Sequence, residues 1–202
     1  MKLYASTTSP YARKVRILLL EQEIPHTFIA ESPADPSSHV AQLNPLGKVP
    51  LLQRDDGEVL FNSPMIVEYI DSLSVSPMLP IDPELRWQVQ RWHALGDGIV
   101  DAVVARMLEG RRAAEIQDTA FISKQEHKIA AALRFAAEQM KTRASGGIYL
   151  CGVELSVADI AFAVALDYIN LRYQHAWGDQ YPQLQSWLNT INKRPSFQET
   201  LP

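Results

Sequence analysis

The sequence predicts an α+β domain of order β-α-β-α-β-β-α, followed by an all-α domain built as a helical bundle. Three observations predict this. Up to about residue 73, strand-length apolar runs alternate with amphipathic segments. From Ser74 to Pro83, three prolines and two serines then break the periodicity. Beyond that stretch every apolar pattern has helical spacing. The expected boundaries are 1–76 for the first domain, 77–85 for the linker and 86–202 for the helical domain.

The elements follow in order. Leu3–Ala5, Phe28–Ala30, Val49–Leu52 and Val59–Phe61 are short and rich in Val, Leu, Phe and Tyr, as strands are. Asp55-Asp56-Gly57 between the last two is a hairpin signal. Pro10 to Gln22 spaces Val15, Leu18 and Leu19 helically between Arg13, Lys14 and Arg16, with proline in the first turn. A short helix over Ser38–Leu43 stops at Asn44-Pro45. Ser63 is placed to cap a helix that opens with Pro64 and buries Ile66, Tyr69, Ile70 and Leu73.

In the second domain, Asp82-Pro83 starts a long helix running to about Gly110. Ser123 and Glu126 have capping-box spacing ahead of Ile129, Leu133 and Ala136–Met140, and Ser145-Gly146-Gly147 breaks that helix. Ser156 and Asp159 form another capping box, with Leu155 and Ile160 at staple positions. The helix after it, to about Tyr173, is apolar nearly all round and so reads as the buried centre of the bundle. A last amphipathic helix carries Leu184, Trp187, Leu188 and Ile191.

Charge and composition narrow the function. Residues 1–80 carry 6 basic and 9 acidic side chains and the rest 13 and 14, so neither part has the basic excess of a nucleic-acid or anionic-membrane binder. The N-terminus meets Pro10 before any long apolar run, and no apolar stretch reaches the ~18 residues of a membrane span. These features point to a cytoplasmic protein. A single cysteine, Cys151, excludes an intramolecular disulfide and a CxxC pair. The five histidines lack metal-ligand spacing, so no metal site is expected. Trp87, Trp92 and Trp187 read as core or interface.

Three segments of the first domain carry candidate chemistry. Thr7-Thr8-Ser9-Pro10-Tyr11 lies at a strand-to-helix junction, where amides and helix dipole favour negative charge. A hydroxyl there either donates to an anion or merely caps the helix. In Gly47-Lys48-Val49-Pro50-Leu51-Leu52 a proline opens a strand; a cis Val49–Pro50 bond would turn the Val49 backbone toward a peptide ligand, a trans bond would not. In Asn62-Ser63-Pro64, a hydroxyl and helix N-terminal amides suit a carboxylate, or simply cap the helix.

These three segments, in this order before a proline-rich linker and a helical domain, resemble the glutathione S-transferase family. Ser156-Val-Ala-Asp159 with the following Ile-Ala resembles the family's helical-domain signature, and Arg194-Pro195-Ser196-Phe197 its C-terminal segment. Ser9-Pro10-Tyr11-Ala12 also resembles the glutaredoxin Cys-Pro-Tyr-Cys with both sulfurs replaced, which disfavours dithiol exchange.

The resemblance implies a thioredoxin-like first domain, glutathione as co-substrate with no resident cofactor, a small electrophile as second substrate, and a homodimer. It implies that Ser9, or alternatively Thr8, donates to the glutathione sulfur as the catalytic group. Val49, beside a cis Pro50, would bind the cysteinyl backbone, Ser63 the γ-glutamyl carboxylate, and Lys48 the glycine carboxylate. Asn62 would face the ammonium, where the family commonly has Glu, Asp or Gln. The second-substrate pocket would use Tyr11, Val103, Arg106 and Met107, with Arg106 either holding an anionic substrate or closing a salt bridge. Conjugation to an electrophile is the expected activity. Glutathione-dependent peroxide reduction and a binding or regulatory role with little catalysis are the alternatives.

Overall fold

The computed structural model describes residues 1–141 and 147–202, so Ser145 and Gly146 of the expected helix breaker lie outside the described residues. The chain forms two compact units: Met1–Leu79 together with Arg194–Pro202, and Pro80–Lys193.

The first unit contains β1 (Lys2–Ala5), α1 (Pro10–Glu21), β2 (Thr27–Ala30), α2 (Val40–Leu43), β3 (Leu51–Gln53), β4 (Val59–Phe61) and α3 (Ser63–Ser72). Its sheet has the order β2-β1-β3-β4. β1 runs parallel to β2, while β3 is antiparallel to both β1 and β4. This is the thioredoxin-like arrangement. Leu3, Leu51 and Leu52 on the strands and Val15, Ile17, Leu18 and Leu19 on α1 are fully buried. On α3 the buried stripe is Ile66, Val67 and Ile70; Leu73, expected among them, is 48% exposed at the helix end. Asp71 closes this unit: its carboxylate accepts from Gln22 Nε2 at 2.8 Å and from the amides of Met78 at 2.6 Å and Leu79 at 3.1 Å.

The last nine residues correct the expected boundary at 202. They belong to the first unit, not to the helical one. There α9 (Pro195–Glu199) lies against α1. Arg194 grips the Glu21 carboxylate with two hydrogen bonds, 2.7 and 2.6 Å, and the Ser196 hydroxyl donates to the same group. Burial opposes the charge on Glu21, but these donors and the guanidinium hold its carboxyl below the ordinary range. Arg13, on the polar side of α1 in sequence, is buried because its guanidinium donates to the Phe197 carbonyl at 3.3 Å.

Among the described residues, the regular structure of the second unit is all helical. It comprises α4 (Pro83–Gly110), a 3₁₀ turn (Ala114–Ile116), α5 (Thr119–Lys141), α6 (Val157–Arg172), α7 (Trp177–Gln180) and α8 (Pro182–Ile191). Asp82 caps α4 as expected, accepting from the Leu85 amide at 2.8 Å. The start of α5 lies four residues before Ser123, because Asp118 accepts from the Phe121 amide at 2.9 Å. Glu126 is thereby released from capping and pairs with Arg106.

Helix α6 is the centre, with Ile160, Phe162, Ala163, Ala165, Leu166 and Ile169 at zero exposure. Gly96 lets α4 approach it closely: a Cβ there would stand 2.7 Å from the Ala161 carbonyl oxygen. Trp92 meets Phe162 edge-on at 5.0 Å, and Trp187 lies 5.5 Å from the same ring. Trp87, by contrast, is 44% exposed. Cys151 is buried, as expected of a small apolar side chain.

Asp159 fastens the start of α6. Its carboxylate accepts from the Ser156 amide at 2.9 Å, the Ser156 hydroxyl at 2.8 Å and the Leu150 amide at 2.7 Å. Burial outweighs these three donors and pushes its pKa up to about 6. A carboxyl raised on folding contributes stability that is fully present below its unfolded value near 3.8 and is lost as pH rises through about 6. Asp159→Asn leaves one donor without an acceptor and is therefore less stable than the parent. The gap should narrow by on the order of 3 kcal/mol between pH 4 and pH 7. Denaturant unfolding of both proteins across that range measures it, and a gap that widens with pH contradicts the assignment.

Candidate functional site

The sheet register brings the three candidate segments to one rim. Tyr4 near the end of β1 pairs with Leu51 at the start of β3, and Leu51 pairs with Phe61 at the end of β4. The loop to Ser9, the Lys48-Val49-Pro50 segment and Asn62-Ser63 therefore all leave the sheet on the same side. Ser9, Lys48, Val49, Pro50, Asn62 and Ser63 all sit at this rim of the first unit.

Ser9 is the N-cap of α1. Its Oγ accepts from the Ala12 amide at 3.3 Å. The cap uses a lone pair and leaves the hydroxyl proton to donate elsewhere, so the capping and anion-binding readings are compatible. Thr8 is exposed, with its hydroxyl 3.2 Å from that of Ser6.

The Val49–Pro50 bond is cis. The loop before it is organised by Asn44, a residue the sequence marked only as a helix stop. Asn44 is 2% exposed and bonds three ways: Nδ2 donates to the Lys48 carbonyl at 2.9 Å, Oδ1 accepts from Leu46 at 3.0 Å, and its carbonyl accepts from Gly47 at 2.9 Å. Gly47 supplies the positive φ of 60° this tight turn needs. Asn-Pro followed by Gly was the available signal. Val49 is half-buried and Lys48 exposed.

At the third segment the cap is Asn62, not Ser63. Asn62 Oδ1 accepts from the Met65 amide at 3.4 Å, and Ser63 is the first residue of α3. Ser63 is 3% exposed at this helix start, and the next residue, Pro64, has no N–H to offer. Asn62 holds φ 74° and ψ 114°, a region sparsely populated by residues other than glycine. The left-handed turn is what carries the chain sharply from β4 into α3.

A cavity of about 380 Å³ lies across the β1–α1 loop, lined by Ser6, Thr7, Ala30, Glu31, Ser32, Asp35, Ser37, Ser38 and His39. His39 Nδ1 stands 3.0 Å from Glu31 Oε1. No sequence signal marked this cavity. Its two carboxylates disfavour an anionic occupant.

The expected second-substrate residues fall in both units. Tyr11 is half-buried on the first turn of α1. Val103, Arg106 and Met107 are on α4 in the helical unit. Val103 has no exposed surface, so it does not line an open pocket. Arg106 bonds to Glu126 at 2.7 Å, and its guanidinium lies 4.0 Å over the Tyr173 ring. The salt bridge, one of its two expected roles, is thus formed. Met107 Sδ accepts from the Tyr168 hydroxyl at 3.9 Å. Among the described residues no group of acidic, His or Cys side chains is arranged to hold a metal ion. None of the described helices is long and apolar enough to cross a membrane.

Comparison with known proteins decides the family. The model of the glutathione S-transferase N-terminal domain matches residues 3–77, and that of the C-terminal domain matches residues 99–195. The GST-like protein YibF of Escherichia coli K12 is 40% identical over all of this chain and 98% of its own length. The chain belongs to the glutathione S-transferase family. A glutathione S-transferase of Methylobacillus flagellatus KT, solved with GSH bound, is 42% identical at a TM-score of 0.94, covering 100% of this chain and 98% of that one. One from Methylobacterium radiotolerans, in complex with glutathione sulfonate, is 31% identical at a TM-score of 0.93, covering 100% and 94%.

The strained cap of this transferase-family chain yields a test. Asn62→Ala removes the cap acceptor and keeps the positive φ, which should cost about 1–3 kcal/mol. Asn62→Gly removes the acceptor but relaxes the backbone and should stay within about 0.5 kcal/mol of the parent. Thermal unfolding of the pair reads the difference. Equal loss in both variants would show that the backbone stores no strain there.

Proposed function

We propose that the chain binds glutathione along the β1–β3–β4 rim, stabilises its thiolate and transfers it to a small electrophile. The observation that supports this best is the register that gathers Ser9, Val49 and Ser63 on one side of the sheet. Relatives of the same fold, 42% and 31% identical, bind GSH and glutathione sulfonate. In this reading the cysteinyl backbone of glutathione pairs with Val49 as an added strand would. The γ-glutamyl carboxylate meets Ser63 at the start of α3, where the helix dipole favours it. Lys48 offers a positive charge to the glycine carboxylate. Asn62, bonded as a cap, brings no charge to the ammonium.

Activation of the thiol needs little free energy. A thiol of pKa about 8.5 is mostly protonated at neutral pH, and lowering it by one unit takes about 1.4 kcal/mol. One charge-assisted hydrogen bond contributes about 1.5–3 kcal/mol, so the Ser9 hydroxyl aided by the α1 N-terminus suffices. Glutathione is a co-substrate here, no resident cofactor is required, and the thiolate does the nucleophilic chemistry.

Ser9→Gly tests the role without destroying the cap, since glycine at an N-cap costs only a few tenths of a kcal/mol. Conjugation to a haloarene should slow by about ten- to a hundredfold while glutathione affinity changes little. Unchanged turnover in Ser9→Gly with loss in Thr8→Val would move the role to Thr8. Failure to bind glutathione at millimolar concentration would point to the regulatory alternative.

The working unit in this reading is a cytoplasmic homodimer. Light scattering after size exclusion should give twice the 22.7 kDa chain mass. A monomer at all micromolar concentrations would rule this out.

A further inference from the structure

The first unit is closed by a helix too short to stand alone. α9 has five residues, below the length at which an isolated helix forms in water. α1 supplies what it lacks. At the carbonyl end of α9, Arg13 donates from Nε to Thr200 Oγ1 at 3.4 Å and from Nη2 to the Phe197 carbonyl at 3.3 Å. Arg16, one turn on, donates to the Glu199 and Thr200 carbonyls at 3.3 and 3.5 Å. Cations belong at that end of a helix. Burial and the neighbouring Arg13 charge lower the Arg16 pKa, and the α9 carbonyls offset that repulsion. Phe197 and Thr200 have no exposed surface, and Arg13 is 4% exposed. At the opposite end Arg194 holds Glu21 at the close of α1.

The grip at Arg13 falls on the turn that carries Ser9. The Arg13 amide donates to the Ser9 carbonyl at 2.9 Å, and the Ala12 amide donates to Ser9 Oγ at 3.3 Å. These two amides tie the serine to α1. Helix ends fray, and a frayed first turn swings its cap hydroxyl away from the rim. A planar fork of donors fixed on α9 restrains that turn, and a flexible ammonium at the same position holds it less well. Glu21 lies about 18 Å farther along the helix than Ser9, too far to restrain it.

We propose that Arg13 is a positioning residue: by joining the first turn of α1 to the Phe197–Thr200 end of α9, it holds the Ser9 hydroxyl in place for the glutathione sulfur. This rests on the role given to Ser9 above.

The test compares the parent with Arg13→Lys, which keeps the charge and loses the fork, and with Glu21→Gln, which loosens the clasp at its far end. In the free proteins, hydrogen exchange at the Ala12 and Arg13 amides should be at least tenfold faster in Arg13→Lys and unchanged in Glu21→Gln. With glutathione bound, the pH titration of thiolate ultraviolet absorbance should move up by about half a unit or more in Arg13→Lys only. Conjugation at neutral pH should then slow about threefold or more, with glutathione affinity held within about twofold and the rate recovered at high pH. Both variants should unfold at a lower temperature, so a merely structural clasp predicts the same titration for both. Thr200→Val, which removes the Nε acceptor and leaves Arg13 intact, serves if circular dichroism shows Arg13→Lys unfolded, with the same shifts expected. Unaltered exchange beside a parental thiolate, or faster exchange with an unmoved titration, overturns the proposal alone. A parent that forms no bound thiolate overturns the Ser9 reading and this proposal with it.

Discussion

The pairing of β3 between β1 and β4 is the constraint on which the rest of the first unit depends. Side chains alternate across a strand, so slipping β3 by one residue would send each of its side chains to the opposite face of the sheet. Leu51 and Leu52, both fully buried, resist that slip from the two faces of the sheet. With the register held, the end of β1, the start of β3 and the end of β4 must open on the same side. Three unremarkable local features, a serine cap, a proline at a strand start and an asparagine-capped helix, then become neighbours. None of them is a site by itself.

Most of this architecture is legible in the sequence because it rests on local patterns. Alternating apolar runs mark the strands, Asp82 and Ser156 mark helix starts, and Asp55-Asp56-Gly57 marks the hairpin. What escapes has a common cause: a partner distant in sequence or a competing local choice. Asn62 takes the cap from Ser63 because only the residue with positive φ can turn the chain into α3. Asp118 takes the start of α5 from Ser123 because both satisfy the same local rule and the earlier one is used. Asn44 reads as a helix stop, yet its side chain holds the loop in front of Val49. Arg106 reads in sequence as an anion ligand or a salt-bridge partner, and the carboxylate it pairs with, Glu126, lies twenty residues on.

The helical unit obeys a different economy. Its centre is one helix buried on nearly every side, so contact there is limited by backbone and not by side-chain choice. Gly96 is the point at which α4 and α6 touch through the main chain. Asp159 is the polar counterpart, a buried carboxylate kept because it ties the Leu150 segment to the first turn of α6. An apolar residue of similar volume would remove the desolvation cost but leave three donors unmatched. The capping signature in the sequence is thus a tertiary joint as well as a helix start.

The return of the last nine residues to the first unit bears on how the chain is made. A protein leaves the ribosome amino end first, and domains generally fold as they emerge. Here the opening unit cannot be finished in that order. Glu21 and Arg13 on α1 meet Arg194 and Phe197, which are synthesised after the whole helical unit. Until then α1 lacks the donors that Arg194 and Ser196 bring to the Glu21 carboxylate. The helical unit, contiguous from Pro80 to Lys193, has no such debt and is free to fold first. The amino-terminal unit is therefore the last to be completed, and a nascent chain that stops short of Arg194 leaves it without its clasp.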